Sequence, residues 1–145
     1  MVAFARNLTM LILALLPSIG VASSVDIGKA EKRVVAFLEN VYAGERLKEA
    51  EWLTKQMRES PALQGFGGLG AVITSSQHMA DEHGGVKAIK VIERQDLGNG
   101  AIRIRAEIEF NRPLRIDTGS AAIAKEDLIW NVRVYREQGR LKLEF

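Results

Sequence analysis

The sequence contains no cysteine among its 145 residues, so it has neither a disulfide framework nor a cysteine that a lipid could modify. It also lacks a marked excess of charge, because 20 Lys and Arg are interspersed with 18 Asp and Glu. Nucleic-acid binding requires a clustered basic face, and this composition argues against it. Repeats and low-complexity segments are absent as well. With 47% hydrophobic residues, the chain is typical of one globular domain with its own core.

The N-terminus has no apolar run of the ~20 residues that span a bilayer, but it resembles a secretory signal. Arg6 is followed by apolar residues from Leu8 to Leu16 and then by small residues. Because signal peptidase requires small side chains, we expect cleavage near Ala22 or Ser23. This predicts a periplasmic or secreted bacterial protein whose domain spans residues 24–145. In the alternative interpretation, the segment stays uncleaved as a membrane anchor.

The first half of the domain has the periodicity of helices. Apolar residues recur every three or four positions over residues 26–43, 45–59 and 69–83, which predicts about three amphipathic helices. Gly44 and the Gly84-Gly85 pair are placed to end the first and the third. The glycine-rich stretch 61–70 is predicted to be a loop.

The period then changes to two. In residues 101–110 one side carries Ile102, Ile104, Ala106, Ile108 and Phe110, and the other carries Arg103, Arg105, Glu107 and Glu109. Such alternation is typical of an antiparallel strand that is covered on one face only. Residues 86–95, 128–135 and the last residues to 145 are predicted strands, whereas residues 111–126 give no clear prediction. We therefore expect an α+β domain with about three helices on one face of a sheet of about four antiparallel strands.

The predicted turns are marked by glycine. Asn99-Gly100 has the residues of a type I′ hairpin turn, which needs positive φ at both central positions. Gln138-Gly139 is expected to turn the chain into the last strand.

The element order, with Gly84-Gly85 followed by Val86-Lys87-Ala88-Ile89-Lys90-Val91 and a hairpin, resembles a group of small exported bacterial domains. They belong to the nuclear transport factor 2-like (NTF2-like) superfamily, and the resemblance implies its cystatin-like, cone-shaped fold with a curved sheet over residues 25–145. Some members are described as lumazine-binding and others as domains of unknown function. Because the superfamily contains isomerases, dehydratases, secretion-apparatus subunits and binding modules, the fold does not decide the activity.

Two motifs suggest chemistry but have ordinary explanations. Residues 65–70 match Gly-x-Gly-x-x-Gly and lead into a helix, but a dinucleotide site needs a preceding strand, so no cofactor is predicted. Residues 117–120 read Asp-Thr-Gly-Ser, as in aspartic proteases. A single copy with 28 residues after Asp117 (145 − 117) is too short for such a protomer, and a turn explains it.

Three groups of residues are candidate sites. His78 and Glu82 share one helix face and are weak candidates for a metal or an acid–base pair, with a surface role as the alternative. The aromatic residues Phe37, Tyr42, Trp52 and Trp130 could line a pocket in the cone for a small apolar ligand, or simply fill the core. Arg103, Arg105, Glu107, Glu109 and Arg133 form a charged sheet face, available to solvent or to a protein partner.

These observations favour an exported, non-enzymatic binding or interaction domain, because no catalytic constellation accompanies the fold and the export signal. One alternative is a small isomerase, dehydratase or hydrolase with its site in the cone, for which His78 or Tyr42 would point into a cavity. Another is a secretion-apparatus subunit, if the N-terminal segment remains as an anchor. A homodimer is compatible with each of them.

Overall fold

A computed structural model describes residues 25–112 and 128–145. Within these ranges five helices come first: α1 (Ile27–Tyr42), α2 (Glu49–Trp52), α3 (Lys55–Arg58), α4 (Pro61–Phe66) and α5 (Gly68–Glu82). Four strands follow: β1 (Val86–Asp96), β2 (Ile102–Phe110), β3 (Ile129–Glu137) and β4 (Arg140–Glu144). They form one antiparallel sheet in the order β1-β2-β3-β4. The predicted α+β class is confirmed. The predicted signal segment and the Asp-Thr-Gly-Ser motif lie outside the described residues.

Helix α1 packs its apolar stripe on the sheet. Its buried side chains are Ala30, Val34, Phe37, Leu38, Val41 and Tyr42. Asp26 caps the first turn, because its carboxylate accepts a hydrogen bond from the Lys29 N–H at 3.0 Å. After the helix ends, Gly44 has a φ of 76°, as expected for a left-handed residue behind a helix C-terminus. The prediction for this helix is confirmed.

The predicted helix over residues 45–59 is wrong, because two single-turn helices occupy this region. Between α2 and α3, Leu53 is extended and fully buried, and it forms a parallel bridge with Leu143 of β4. The Thr54 N–H donates to the Leu143 carbonyl at 3.2 Å, and the Thr54 hydroxyl accepts from the Met57 N–H to begin α3. The Leu143 carbonyl at the edge of β4 thus accepts a hydrogen bond from a backbone N–H that would otherwise be bonded within a helix. Because Leu143 is distant in the sequence, the periodicity of residues 45–59 does not reveal this contact.

The predicted loop over residues 61–70 is also wrong. Pro61 occupies the first turn of α4, where its missing N–H costs nothing. Gly67 ends α4 with a φ of 114°, and α5 begins at the next residue. The Glu49 carboxylate accepts from the Leu69 N–H at 3.0 Å. A protein carboxylate therefore lies at this helix N-terminus, where a phosphate-binding interpretation would place a ligand.

The sheet presents its apolar side to the helices. Along β2 the burial alternates without exception, and the even-numbered side chains from Ile102 to Phe110 face the core, as predicted. In β1 the register shifts between Val91 and Glu93. Beyond this bulge Arg94 pairs with Ile104 of β2 and donates two hydrogen bonds, of 2.6 and 2.7 Å, to Glu31 of α1. The bulge therefore turns Arg94 to the helix side of the sheet, where its ion pair with Glu31 links β1 to α1.

Both predicted hairpins are present, but the loop between β1 and β2 has a different turn type from the predicted one. Gln138 and Gly139 both have positive φ, of 53° and 75°, as in a type I′ turn. Between β1 and β2 the positive φ values belong to Gly98 and Gly100, and the Leu97 N–H donates to the Ala101 carbonyl. The type I′ prediction for Asn99-Gly100 is therefore wrong, since Asn99 does not adopt positive φ and the loop is longer.

In the ranges 25–112 and 128–145, no helix combines the length and the apolar character that crossing a membrane requires.

Candidate functional site

The four residues predicted to line a pocket pack against one another. The Phe37 ring centroid lies 5.8 Å from that of Trp52 and 6.3 Å from that of Trp130. Phe145 joins them, 5.7 Å from Phe37 and 5.3 Å from Trp130. Phe37 has no exposed surface. We call Phe37, Tyr42, Trp52, Trp130 and Phe145 the aromatic cluster; its geometry is that of interlocked core side chains.

Tyr42 is the polar member of this cluster. Its hydroxyl accepts a hydrogen bond of 2.9 Å from the Trp130 Nε1–H. Burial raises the pKa of Tyr42, and this hydrogen bond opposes the shift. Tyr42 also lines a depression of about 370 Å³ together with Asp81 of α5 and Lys87 of β1. At neutral pH the phenol is protonated, so it can donate a hydrogen bond but is a poor general base.

The histidines near the end of α5 have surface and structural roles. His78 Nε2 lies 3.0 Å from Glu82 Oε1, and the two side chains are 74% and 58% exposed. His83 Nδ1–H donates to the Met79 carbonyl at 2.8 Å, and the ring stacks on Phe110. In the described part of the chain no group of three or more His, Asp or Glu side chains could hold a metal. His78 points into none of the depressions described here.

The face of the sheet away from the helices, the outer sheet face, carries the predicted charged residues. Its first half is neutralised internally. Glu109 pairs with Lys90 at 2.7 Å and with Lys87 at 3.4 Å. These contacts lower the pKa of Glu109, the Lys90 hydrogen bond most of all. Glu107 stands opposite Lys90 in the register of β1 and β2.

The second half of the outer sheet face has a surplus of positive charge. Arg103 and Arg105 each donate a 2.9 Å hydrogen bond to Glu93, and both lower its pKa, Arg105 more strongly. Arg133 stands directly opposite Arg103 in the register of β2 and β3, and within the described residues it forms no ion pair. We call Arg103, Arg105 and Arg133 the arginine cluster. Glu93 thus pairs with two of the three guanidinium groups, and Glu144 stands opposite Arg133 in the register of β3 and β4 without forming an ion pair with it.

A shallow depression of about 260 Å³ lies within the arginine cluster. Its walls are Arg103, Arg105, Ile129 and Asn131. The Nε atom of Arg103 is buried and has no hydrogen-bond partner in the described part of the chain. The depression combines the guanidinium donors of two arginines with the amide of Asn131 and the apolar side chain of Ile129. A surface that carries carboxylates would complement these donors.

One feature on the helix side was missed by sequence reasoning. The Arg33 guanidinium carbon lies 3.6 Å from the centre of the Trp52 ring, in an open groove of about 620 Å³ between α1, α2 and β4. Lys29, Lys32 and Arg140 also line this space, which we call the basic groove. The available signal was the spacing of Lys29, Lys32 and Arg33, which places three cations on one side of α1. Their meeting with Arg140, more than 100 residues later, depends on tertiary structure.

The fold resembles that of a solved structure. No protein-family profile and no curated protein matches the chain. A crystal structure from Campylobacter jejuni, provisionally described as an NTF2-like transpeptidase, aligns with a TM-score of 0.54 and 17% sequence identity. The alignment covers 79% of this chain and 97% of the other. The chain therefore has the NTF2-like, cystatin-like fold that the sequence predicted. At this identity the similarity shows the fold alone, and the lumazine-binding type remains a prediction.

Proposed function

We propose that the protein is a non-enzymatic binding domain of the bacterial envelope, which contacts an acidic protein partner through its arginine cluster. The observation that carries the proposal is the unequal charge on the two halves of the outer sheet face. In one half Glu109 pairs with two lysines and Glu107 stands opposite Lys90, whereas among the described residues Glu93 alone forms ion pairs with the arginine cluster.

The geometry of the cluster favours a carboxylate-bearing partner. Like charges that face each other across two strands are destabilising, and Arg103 faces Arg133 in this way. An additional carboxylate between them would relieve the repulsion and could bond a guanidinium group in bidentate fashion. Because Glu93 holds the guanidinium groups of Arg103 and Arg105, a partner would meet two donors that are already in position.

A non-enzymatic role is supported by the state of the polar side chains near the cone. The phenol of Tyr42 is protonated at neutral pH, as is usual for tyrosine, and burial raises its pKa further, while His78 and Glu82 are exposed on the surface of α5. The aromatic cluster fills space between α1 and the sheet. The envelope location rests on the predicted signal segment.

The partner interaction can be tested with two matched double variants. The variant Arg105→Gln/Arg133→Gln removes two charges from the arginine cluster, and Lys87→Gln/Lys90→Gln removes two from the neutral half of the same face. After cross-linking in the host envelope, we expect the first variant to lose a specific adduct at least about tenfold, as for a loss of ~1.4 kcal/mol. The second variant should retain the adduct. Equal adduct yield from both variants would rule out the arginine cluster as the contact.

The location has a separate test. The intact mass of the protein from a periplasmic fraction should correspond to a chain that begins at residue 23 or 24. An uncleaved chain found only in membranes would contradict a soluble envelope domain and support the anchor interpretation.

A further inference from the structure

The basic groove lies on the helix side of the sheet, so its role is independent of the proposed partner face. Its charge is strongly biased. Lys29, Lys32, Arg33 and Arg140 line the groove, and Glu51 is the one acidic side chain among its lining residues in the described part of the chain. Lys29, Lys32 and Arg140 are exposed and form no ion pair with another described residue. Four cations around one carboxylate give the groove a positive potential.

Three contacts hold the guanidinium group of Arg33 in place within the basic groove. Its guanidinium group stacks on Trp52, its Nε–H donates to the Leu141 carbonyl at 3.2 Å, and Nη2 donates to the Glu51 carbonyl at 2.7 Å. A guanidinium group has five N–H donors, so three remain for another acceptor. Burial is the main cause that lowers the pKa of Arg33, and the charge of Arg140 acts in the same direction. The guanidinium nevertheless stays charged at neutral pH, since arginine is not deprotonated in proteins.

The floor of the groove is apolar. The indole of Trp52 and the side chains of Leu141 and Ala36 form this surface, which is only partly buried. An inorganic anion would use the cations and leave the apolar floor in water. A neutral apolar molecule would cover the floor but leave the cations without a counter-charge. A ligand with both an apolar body and an anionic group satisfies both parts of the groove.

We propose that the basic groove binds a small amphiphilic organic anion, with its flat or acyl apolar body on Trp52 and Leu141 and its carboxylate, sulfonate or phosphate group among Lys32, Arg33 and Arg140. The stacked Arg33 supplies a preformed donor, so little side-chain entropy is lost on binding. The exposed lysines and Arg140 supply the salt-dependent part of the attraction.

Fluorescence titration with 8-anilinonaphthalene-1-sulfonate tests the site, because this probe joins an aromatic body to an anionic group. The neutral N-phenyl-1-naphthylamine is the matched probe without the sulfonate. We expect the anionic probe to bind at least about tenfold more tightly. Equal affinity of the two probes would overturn the proposal, because apolar exposure alone would then explain binding.

Two charge-matched variants locate the interaction. Lys32→Gln/Arg140→Gln removes two cations from the groove, whereas Arg46→Gln/Lys55→Gln removes one arginine and one lysine that are exposed outside its lining. The first should weaken binding of the anionic probe about tenfold, and the second by less than twofold. Equal weakening by both would overturn the proposal in favour of general charge attraction.

Nuclear magnetic resonance gives a readout that does not depend on these variants. The chain has two tryptophans and therefore two indole N–H signals, which Trp130→Phe assigns. The probe should shift the Trp52 signal. A shift of the Trp130 signal alone would place the ligand in the aromatic cluster and overturn the proposal. Binding to phosphatidylglycerol vesicles without binding to the monomeric probe would overturn it in favour of a membrane surface.

Discussion

Replacing Phe37 with alanine separates a packed aromatic core from an open ligand pocket. Phe37 has no exposed surface and contacts the rings of Trp52, Trp130 and Phe145 at centroid distances of 5.7 to 6.3 Å. Truncation of a buried phenylalanine costs about 3–5 kcal/mol, from lost transfer free energy and from the cavity that remains. For a domain of this size, such a loss lowers the melting temperature by roughly 12–20 °C.

Phe66 provides the matched control, since it is the same residue type but 60% exposed. We expect Phe66→Ala to change the free energy of unfolding by no more than about 0.5 kcal/mol. Urea unfolding followed by circular dichroism measures both variants on the same scale. If Phe37→Ala cost less than about 1 kcal/mol, the aromatic cluster would not be close-packed. The interpretation of these residues as a ligand pocket would then be favoured.

Three further predictions concern stability. Gly65 lies in α4 with open space around it, so Gly65→Ala should stabilise the protein by about 0.5–1 kcal/mol. Gly44→Ala should destabilise it by at least about 1 kcal/mol, because φ is positive and the new Cβ would meet Gln77. Urea unfolding measures both changes in the free energy of unfolding, and changes of the same sign would contradict the assigned backbone conformations. Thr54→Ala should lower the free energy of unfolding by about 1–2 kcal/mol, because α3 loses its cap and the hydroxyl loses its hydrogen bond to Glu144. Thr54→Ser keeps the hydroxyl and should therefore keep most of the melting temperature of the unsubstituted protein. Equal losses in the two variants would contradict a role for the hydroxyl. Because arginine contacts lower the pKa of Glu93, its stabilising effect is present above the unfolded pKa of about 4.3 and is lost as pH falls through the lower folded value. Melting temperatures between pH 2 and 7 should therefore depend less steeply on pH in Glu93→Gln than in the exposed control Glu45→Gln, and identical profiles would argue against these contacts.

The candidate sites were accessible to sequence reasoning to different degrees. Alternation along β2 placed Arg103 and Arg105 on the outer sheet face, because side-chain direction in a strand follows from position alone. It could not show that both share Glu93, since the pairing depends on the register and the bulge of β1. For the basic groove, the cations of α1 were visible in the sequence. Arg140 comes from the other end of the chain, and only folding brings it to them.

Local sequence by itself determined the elements whose signals are short-range: the apolar stripe of α1, the glycines behind α1 and α5, the alternation of β2 and the turn at Gln138-Gly139. In each, propensity and burial favour the same conformation, so local periodicity was sufficient. Tertiary structure decided the rest. Leu53 leaves the helical path because the edge of β4 offers its backbone hydrogen bonds and a buried position, and Arg94 faces α1 because a bulge shifts the register of β1. These outcomes depend on partners from 63 to 90 residues away, whose contact free energies outweigh local propensities of at most about 1 kcal/mol per residue.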